Sequence, residues 1–273
     1  MAVELTPTVE WLPQCYPHEN DGRDDHDGDG SDSRDDHDGD GRDGDGYHEH
    51  VSVYLVRADD GDILIDSGSV YHREAVQASV DAATDETGLD ALVLSHSDYP
   101  HAGNVSPLGA ASDDVELVAS SGSPAQQGLP AARTVSIGDE ERIRGRRFSF
   151  VDPPLADRSH TTWIYDHVDG VLFTADGFGA YHPPERCEAT SADFEDEIPA
   201  EAVFEYHRDN LVWLRYVDPA KIRRALDDIF GTYDVTAIAP VHGHPIVGTD
   251  IDSYLEGFYD AAERIADEYE VDV

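Results

Sequence analysis

The segment Leu89-Asp90-Ala91-Leu92-Val93-Leu94 is a mostly apolar run, and it passes directly into Ser95-His96-Ser97-Asp98-Tyr99-Pro100-His101. A short apolar run bounded by turn residues predicts a buried strand, so a sheet must be built around it. His96 and Asp98 lie two residues apart, and an extended backbone points both side chains to one side. The chain then has to turn at Tyr99-Pro100, which brings His101 back towards the same point. Imidazole and carboxylate groups converging at a strand end are how a protein holds a divalent transition metal. The alternative for these residues alone is a polar turn whose histidines are merely solvated.

Other strand ends carry the same residue types. Leu172-Phe173-Thr174-Ala175-Asp176-Gly177-Phe178-Gly179 has an aspartate just past a strand, and Ile238-Ala239-Pro240-Val241-His242-Gly243-His244 has two histidines past another. Asp157 and His160 precede the apolar run at Trp163. Asp66 ends a further strand, where its expected role is to brace neighbouring loops by hydrogen bonding. Each has a plain explanation as a turn residue. It is their joint order along the chain that carries information.

Composition bounds the partners. The chain of 273 residues has 59 acidic against 18 basic residues, a formal net charge of -41, and Lys221 is its single lysine. Such a surface repels nucleic acid and anionic lipid, so neither is an expected partner. The acidic, lysine-poor composition resembles that of haloarchaeal proteins, where concentrated salt screens self-repulsion. Cys15 and Cys187 make neither a disulfide framework nor a metal-ligand pair by spacing. No signal peptide is legible at the N-terminus, and no run approaches the roughly 18 apolar residues of a membrane span. The expectation is a soluble, cytoplasmic protein.

Residues 19–50 are low in complexity. The octet Arg-Asp-Asp-His-Asp-Gly-Asp-Gly stands at 23–30 and again at 34–41. With so little apolar surface to offset ordering entropy, this insertion is expected to be disordered. Its Asp-x-Asp-Gly texture lacks the full spacing and terminal glutamate of an EF-hand loop, so only weak cation binding is expected of it. Around it, strands are predicted at Val9–Leu12, Val51–Arg57, Asp62–Asp66, Val115–Ala119, Arg147–Val151, Trp163–Tyr165, Val171–Thr174 and Val235–Pro240. Helices are predicted at His72–Ala83, Ala200–Val217, Pro219–Phe230 and Ile251–Glu268, with Asp218 capping the third. Hairpins mixed with helices suggest two sheets sandwiched by helices in a single domain spanning 1–273.

From about Val51 to His244 these motifs resemble the metallo-β-lactamase superfamily, whose pattern is His-x-His-x-Asp-His, a later His, an Asp closing a strand, and a final His. Within it the chain looks most similar to the β-lactamase-like domain of flavodiiron proteins, which replaces the middle His by Glu, carries Asp-Ala-Phe-Gly and ends in Ala-Pro-Ser-His-Gly. The matching stretches are Asp98, Asp176-Gly177-Phe178-Gly179 and Ala239-Pro240-Val241-His242-Gly243. The resemblance implies an α/β, four-layer αβ/βα sandwich. It implies that His96 and Asp98 serve one metal, that His101 and His242 serve a second, and that Asp176 bridges them. The family's separate histidine aligns by strand spacing with Asp157, while His160 is the nearest histidine; both stay candidates. His244 either replaces a lost ligand or lines the rim. Pro100 stands where the family has an aspartate ligand, which weakens the second half-site.

The donor set, rich in carboxylate and without thiolate, suits iron or manganese and permits zinc, as one or two divalent ions. Superfamily chemistry places first a hydrolase using metal-bound hydroxide on an ester, thioester or phosphoester. The flavodiiron likeness implies instead a diiron domain that binds or reduces O₂ or NO. No flavodoxin segment is expected beyond Val273, so no flavin is expected within this chain and electrons would come from a separate donor. A degenerate, non-catalytic member is the third reading. Related domains often pair, so a homodimer is compatible with the resemblance.

Overall fold

In this computed structural model, residues 2–18, 46–84, 88–110, 115–120, 132–195 and 197–269 are described. The expectation of disorder in the acidic insertion falls mostly outside them. Its last residues are strand: Tyr47–His50 (β4) pairs antiparallel with Cys15–His18 (β3), with His18 opposite Tyr47.

Among the described residues, seven strands form the first sheet. These are β1 (Val3–Thr6), β2 (Val9–Leu12), β5 (Val53–Ala58), β6 (Gly61–Ile65), β7 (Ala91–Leu94), β8 (Glu116–Ser120) and β9 (Arg133–Val135), adjacent in that order. The second sheet runs β10 (Glu140–Ile143), β11 (Arg146–Val151), β12 (Trp163–Asp166), β13 (Val171–Phe173), β14 (Ala237–Ala239) and β15 (Ile246–Val247). Helix α1 (Arg73–Ala83) precedes β7, and the short helices α2 (Tyr99–Ala102) and α3 (Val105–Ala110) follow it. Helices α4 (Ala200–Asn210), α5 (Pro219–Thr232) and α6 (Asp250–Glu268) belong to the second half.

The four layers follow from the two-residue period of the strands. On β5, Tyr54 and Val56 enter a core shared with Phe148, Phe150, Ile164 and Phe173 of the other sheet. Val53 and Leu55 turn instead towards Val76 and Val80 of α1. On β13, Val171 and Phe173 face the inter-sheet core, while Leu172 packs with Phe204, Leu226 and Phe258 of α4, α5 and α6. These two strands are therefore buried on both faces, which is why their sequences read as mostly apolar runs. The expected α/β sandwich is the observed fold.

A buried ion pair within the second sheet lets its arginine reach across to the first. Arg146 and Asp166 are both buried, and Arg146 donates to the Asp166 carboxylate, to Thr8 Oγ1 at 2.6 Å and to the Arg57 carbonyl at 2.7 Å.

The helix expected over 200–217 ends at Asn210, and a 3₁₀ turn, Val212–Tyr216, follows. The break sinks Leu211 and Leu214 into the core and lets Trp213 Nε1 donate to the Ala156 carbonyl at 2.9 Å. A continued helix has no reason to direct all three inward. Helix α5 begins as expected, with Asp218 Oδ1 accepting from Ala220 N.

Candidate metal centre

The centre lies at one edge of the sandwich, beyond the C-terminal ends of two parallel strand pairs, β6 with β7 and β13 with β14. Such ends collect ligands in α/β sheets because the loops leaving adjacent strands converge there. Asp66 follows β6, His96 and Asp98 follow β7, Asp176 follows β13 and His242 follows β14. Asp157 comes from the β11–β12 connection, which is held beside β7 by Thr162 N donating to the Ser95 carbonyl at 2.9 Å.

Two clusters of donor atoms share one residue. His101, Asp176 and His242 converge, and so do His96, Asp157 and Asp176; His96, Asp98 and His101 form an overlapping set. Asp176 Oδ2 lies 3.4 Å from His96 Nδ1 and 3.4 Å from His101 Nε2, while Oδ1 lies 3.3 Å from His242 Nε2. Asp98 Oδ1 is 3.1 Å from His96 Nε2.

The far sides of two of the rings, His101 and His242, are held. His101 Nδ1 meets Asp66 Oδ2 at 2.9 Å, and that carboxylate also accepts from Ser95 N at 2.8 Å and Ser95 Oγ at 2.7 Å. His242 Nδ1 lies 2.8 Å from both the His50 carbonyl and Glu49 Oε1. A carboxylate behind an imidazole fixes its tautomer and turns the opposite nitrogen towards a metal. Arg158 Nε reaches Asp98 Oδ2 and Asp157 Oδ2, each at 3.1 Å.

The same buried edge contains unpartnered donor atoms. Both nitrogens of His96, His101 Nε2, Asp98 Oδ1 and Asp176 Oδ2 are buried without a hydrogen bond. Leaving so many polar atoms unsatisfied is costly, and a cation among them answers the cost. The set therefore fits a metal.

Electrostatics agree. Burial would raise the Asp176 carboxyl, but His101 and His96 hold it well below the usual range. Burial would lower His242, yet Glu49 and Asp176 raise it to about 10; burial would likewise raise Glu49, yet His242 and His18 bring it to about 2. For Asp157, burial and then the Asp176 charge push the carboxyl up.

A model for the "ODP family beta lactamase" matches residues 50–243. The chain belongs to the ODP family of β-lactamase-like proteins. The curated relatives of this ODP chain include the anaerobic nitric oxide reductase flavorubredoxin of Salmonella arizonae, 27% identical over 160 residues, covering 56% of the chain and 32% of the relative. They also include the coenzyme F420H(2) oxidase of Methanothermobacter marburgensis, 24% identical and covering 80% of the chain and 55% of the oxidase. The chain thus spans about a third to a half of these proteins. Similar solved structures include the flavodiiron protein of Giardia intestinalis (TM-score 0.69, 17% identity, 97% of the chain and 60% of that protein). Another is the rubredoxin oxygen:oxidoreductase of Desulfovibrio gigas (TM-score 0.68, 19% identity, 96% and 62%).

The remaining sequence candidates sit elsewhere. Among the described residues, His160 is in none of the donor clusters; it has a positive φ of 71° and its carbonyl accepts from Ser120 Oγ. His244 packs against His50, His182 and Phe194, and its Nδ1 meets the Ala189 carbonyl at 2.7 Å. Pro100 occupies the first turn of α2, so the helix that delivers His101 gains a residue suited to its start but no carboxylate. Glu49 and Arg158 were not found by sequence reasoning; Glu49 sits at the end of the acidic repeat, where one more acid carries no signal. Cys15 and Cys187 correct an expectation, since the fold joins them as a disulfide across 172 residues.

Proposed function

We propose that this ODP domain is a diiron centre for reductive chemistry on O₂ or NO, supplied with electrons by a separate donor. The observation that carries the proposal is the Asp176 carboxylate, shared between the His96–Asp157 cluster and the His101–His242 cluster. A single carboxylate facing two nitrogen-and-oxygen pockets suits a pair of hard or borderline metals. The names of the relatives, a nitric oxide reductase and an F420H(2) oxidase, support redox chemistry over the hydrolase that superfamily frequency placed first.

His96, Asp98 and Asp157 would hold one iron, His101 and His242 the other, and Asp176 both. A bound iron pair supplies the one-electron steps that reducing O₂ or NO demands. The chain's own contribution is positional. Asp66 and Glu49 keep the two second-site imidazoles turned inward, so that each Nε2 would face the metal that displaces its proton. Arg158 occupies the outer oxygen of Asp98, which leaves Asp98 Oδ1 directed at His96, and it also contacts Asp157 Oδ2. Tyr206 donates from its hydroxyl to the Asp176 carbonyl at 3.1 Å and limits motion of the bridging residue.

The test is anaerobic loading with ferrous iron, elemental analysis, and then addition of NO or O₂ with a chemical reductant. Two irons per chain and catalytic consumption of either gas are expected. Failure to bind iron, or ester hydrolysis with no gas consumption, would overturn the reading.

A further inference from the structure

A second group of metal-ligand side chains lies outside this centre, around the disulfide. Cys15 is on β3, His48 and His50 are on β4, and His182 and Cys187 come from the segment after β13. Cys187 Sγ is 3.4 Å from His48 Nδ1, and Cys15 Sγ is 3.5 Å from His182 Nε2. The donor atoms of Cys15, His48 and Cys187 all lie within 4.8 Å of one another, as do those of Cys15, His50 and His182.

The imidazoles are set as ligands. His182 Nδ1 meets the Pro183 carbonyl at 2.9 Å, so that nitrogen carries the proton and Nε2 presents its lone pair to the sulfur. His50 Nε2 donates to the Cys187 carbonyl at 3.2 Å, which pins the loop bearing the cysteine. Its Nδ1 is then a lone pair, fully buried and without a partner. The backbone is also tied across the group, with His48 and His182 exchanging both of their amide hydrogen bonds at 2.8 and 3.0 Å.

We propose that Cys15, Cys187, His48 and His182 form a second metal site, a closed Cys₂His₂ site that takes zinc when the two sulfurs are reduced. Two thiolates and two imidazoles are the donor set of a structural, tetrahedral zinc site. The disulfide and the zinc form exclude each other. Opening the S–S bond takes two electrons and two protons from a dithiol, which is itself oxidised to its disulfide. Zinc then binds as the two thiols release their protons. Either state fastens β3 and β4 to the 182–187 segment.

This position matters to the first centre. Strand alternation sends His48 and His50 to one side of β4 and Glu49 to the other. Both the Glu49 carboxylate and the His50 carbonyl grip His242 Nδ1. A metal on the His48 side therefore steadies the strand that orients His242.

Cobalt(II) reports the site directly, because thiolate ligation gives a near-ultraviolet charge-transfer band and the carboxylate–imidazole centre contains no sulfur. The full chain, reduced with a phosphine and titrated with cobalt, should develop this band to one equivalent and lose it on adding zinc. The oxidised protein should lack it, and Cys187→Ser, with one thiolate left, should show a clearly weaker band. His182→Ala keeps both cysteines and should bind the thiolate-bound cobalt at least about tenfold more weakly. Asp176→Ala, which empties the other centre, should retain it, so failure of the diiron reading leaves this result untouched. A reduced protein with two titratable thiols and no charge-transfer band would overturn the proposal, as would a His182→Ala variant with unchanged affinity.

Discussion

Glu49 Oε1 lies 2.8 Å from His242 Nδ1, on the side of the ring opposite Asp176. The carboxylate holds the imidazole proton at Nδ1 and leaves Nε2 to face the metal pocket. Glu49→Gln keeps the shape and removes the charge. Its expected effect is a loss of about 10–100-fold in affinity for the second metal, measured by competition with a chelator.

The same pair sets the pH dependence of the metal-free protein. Glu49 falls from 4.5 to about 2 on folding, so its stabilisation is present above 4.5 and is lost as pH falls through 2. His242 rises from 6.5 to about 10, so its stabilisation is whole below 6.5 and is lost as pH rises through 10. Both contributions are complete between about pH 4.5 and 6.5, where the Tm difference between the parent and Glu49→Gln should be largest. Parallel Tm curves across the range would refute this. Metal must displace the His242 proton, so metal affinity should rise with pH through neutrality.

Asp176→Ala removes the one residue common to both clusters. Metal content at this centre should fall to background by elemental analysis, with the far-ultraviolet circular dichroism unchanged. Retention of two metals would exclude a bridging role.

Arg146→Ala leaves Asp166 as a buried charge without its cation, at the seam between the sheets. Breaking such a pair from one side costs about 3–5 kcal/mol. Urea unfolding should register that loss with the m-value unchanged.

His18 and Tyr47 are direct cross-strand partners, so the ends of the acidic insertion meet at the tip of a hairpin. Replacing residues 19–46 by Asn-Gly closes it with a two-residue turn. Metal content and Tm are expected to match the parent; loss of metal would assign the insertion a part in loading.

The strands and the metal-ligand types were legible because both are local. Val53–Ala58, Gly61–Ile65 and Ala91–Leu94 announce themselves as apolar runs, and His96, Asp98, Asp176 and His242 stand at the strand ends such runs define. The family pattern supplied their order. Short edge strands such as Arg133–Val135 and Ile246–Val247 carry too few residues for a period to be read.

By itself, then, the sequence determined the layered α/β class and the residues that crowd one edge of it. Only the tertiary structure decided which partners stand behind those residues. Glu49 is separated from His242 by most of the chain, and Cys15 from Cys187 by 172 positions. No local spacing encodes such pairs, because strand pairing and sheet packing create them. The turn after β7 shows both halves of the matter. Its histidines and Asp98 suggested a metal from sequence, but the carboxylates that aim and bridge them arrive from β6, β13 and the β11–β12 loop.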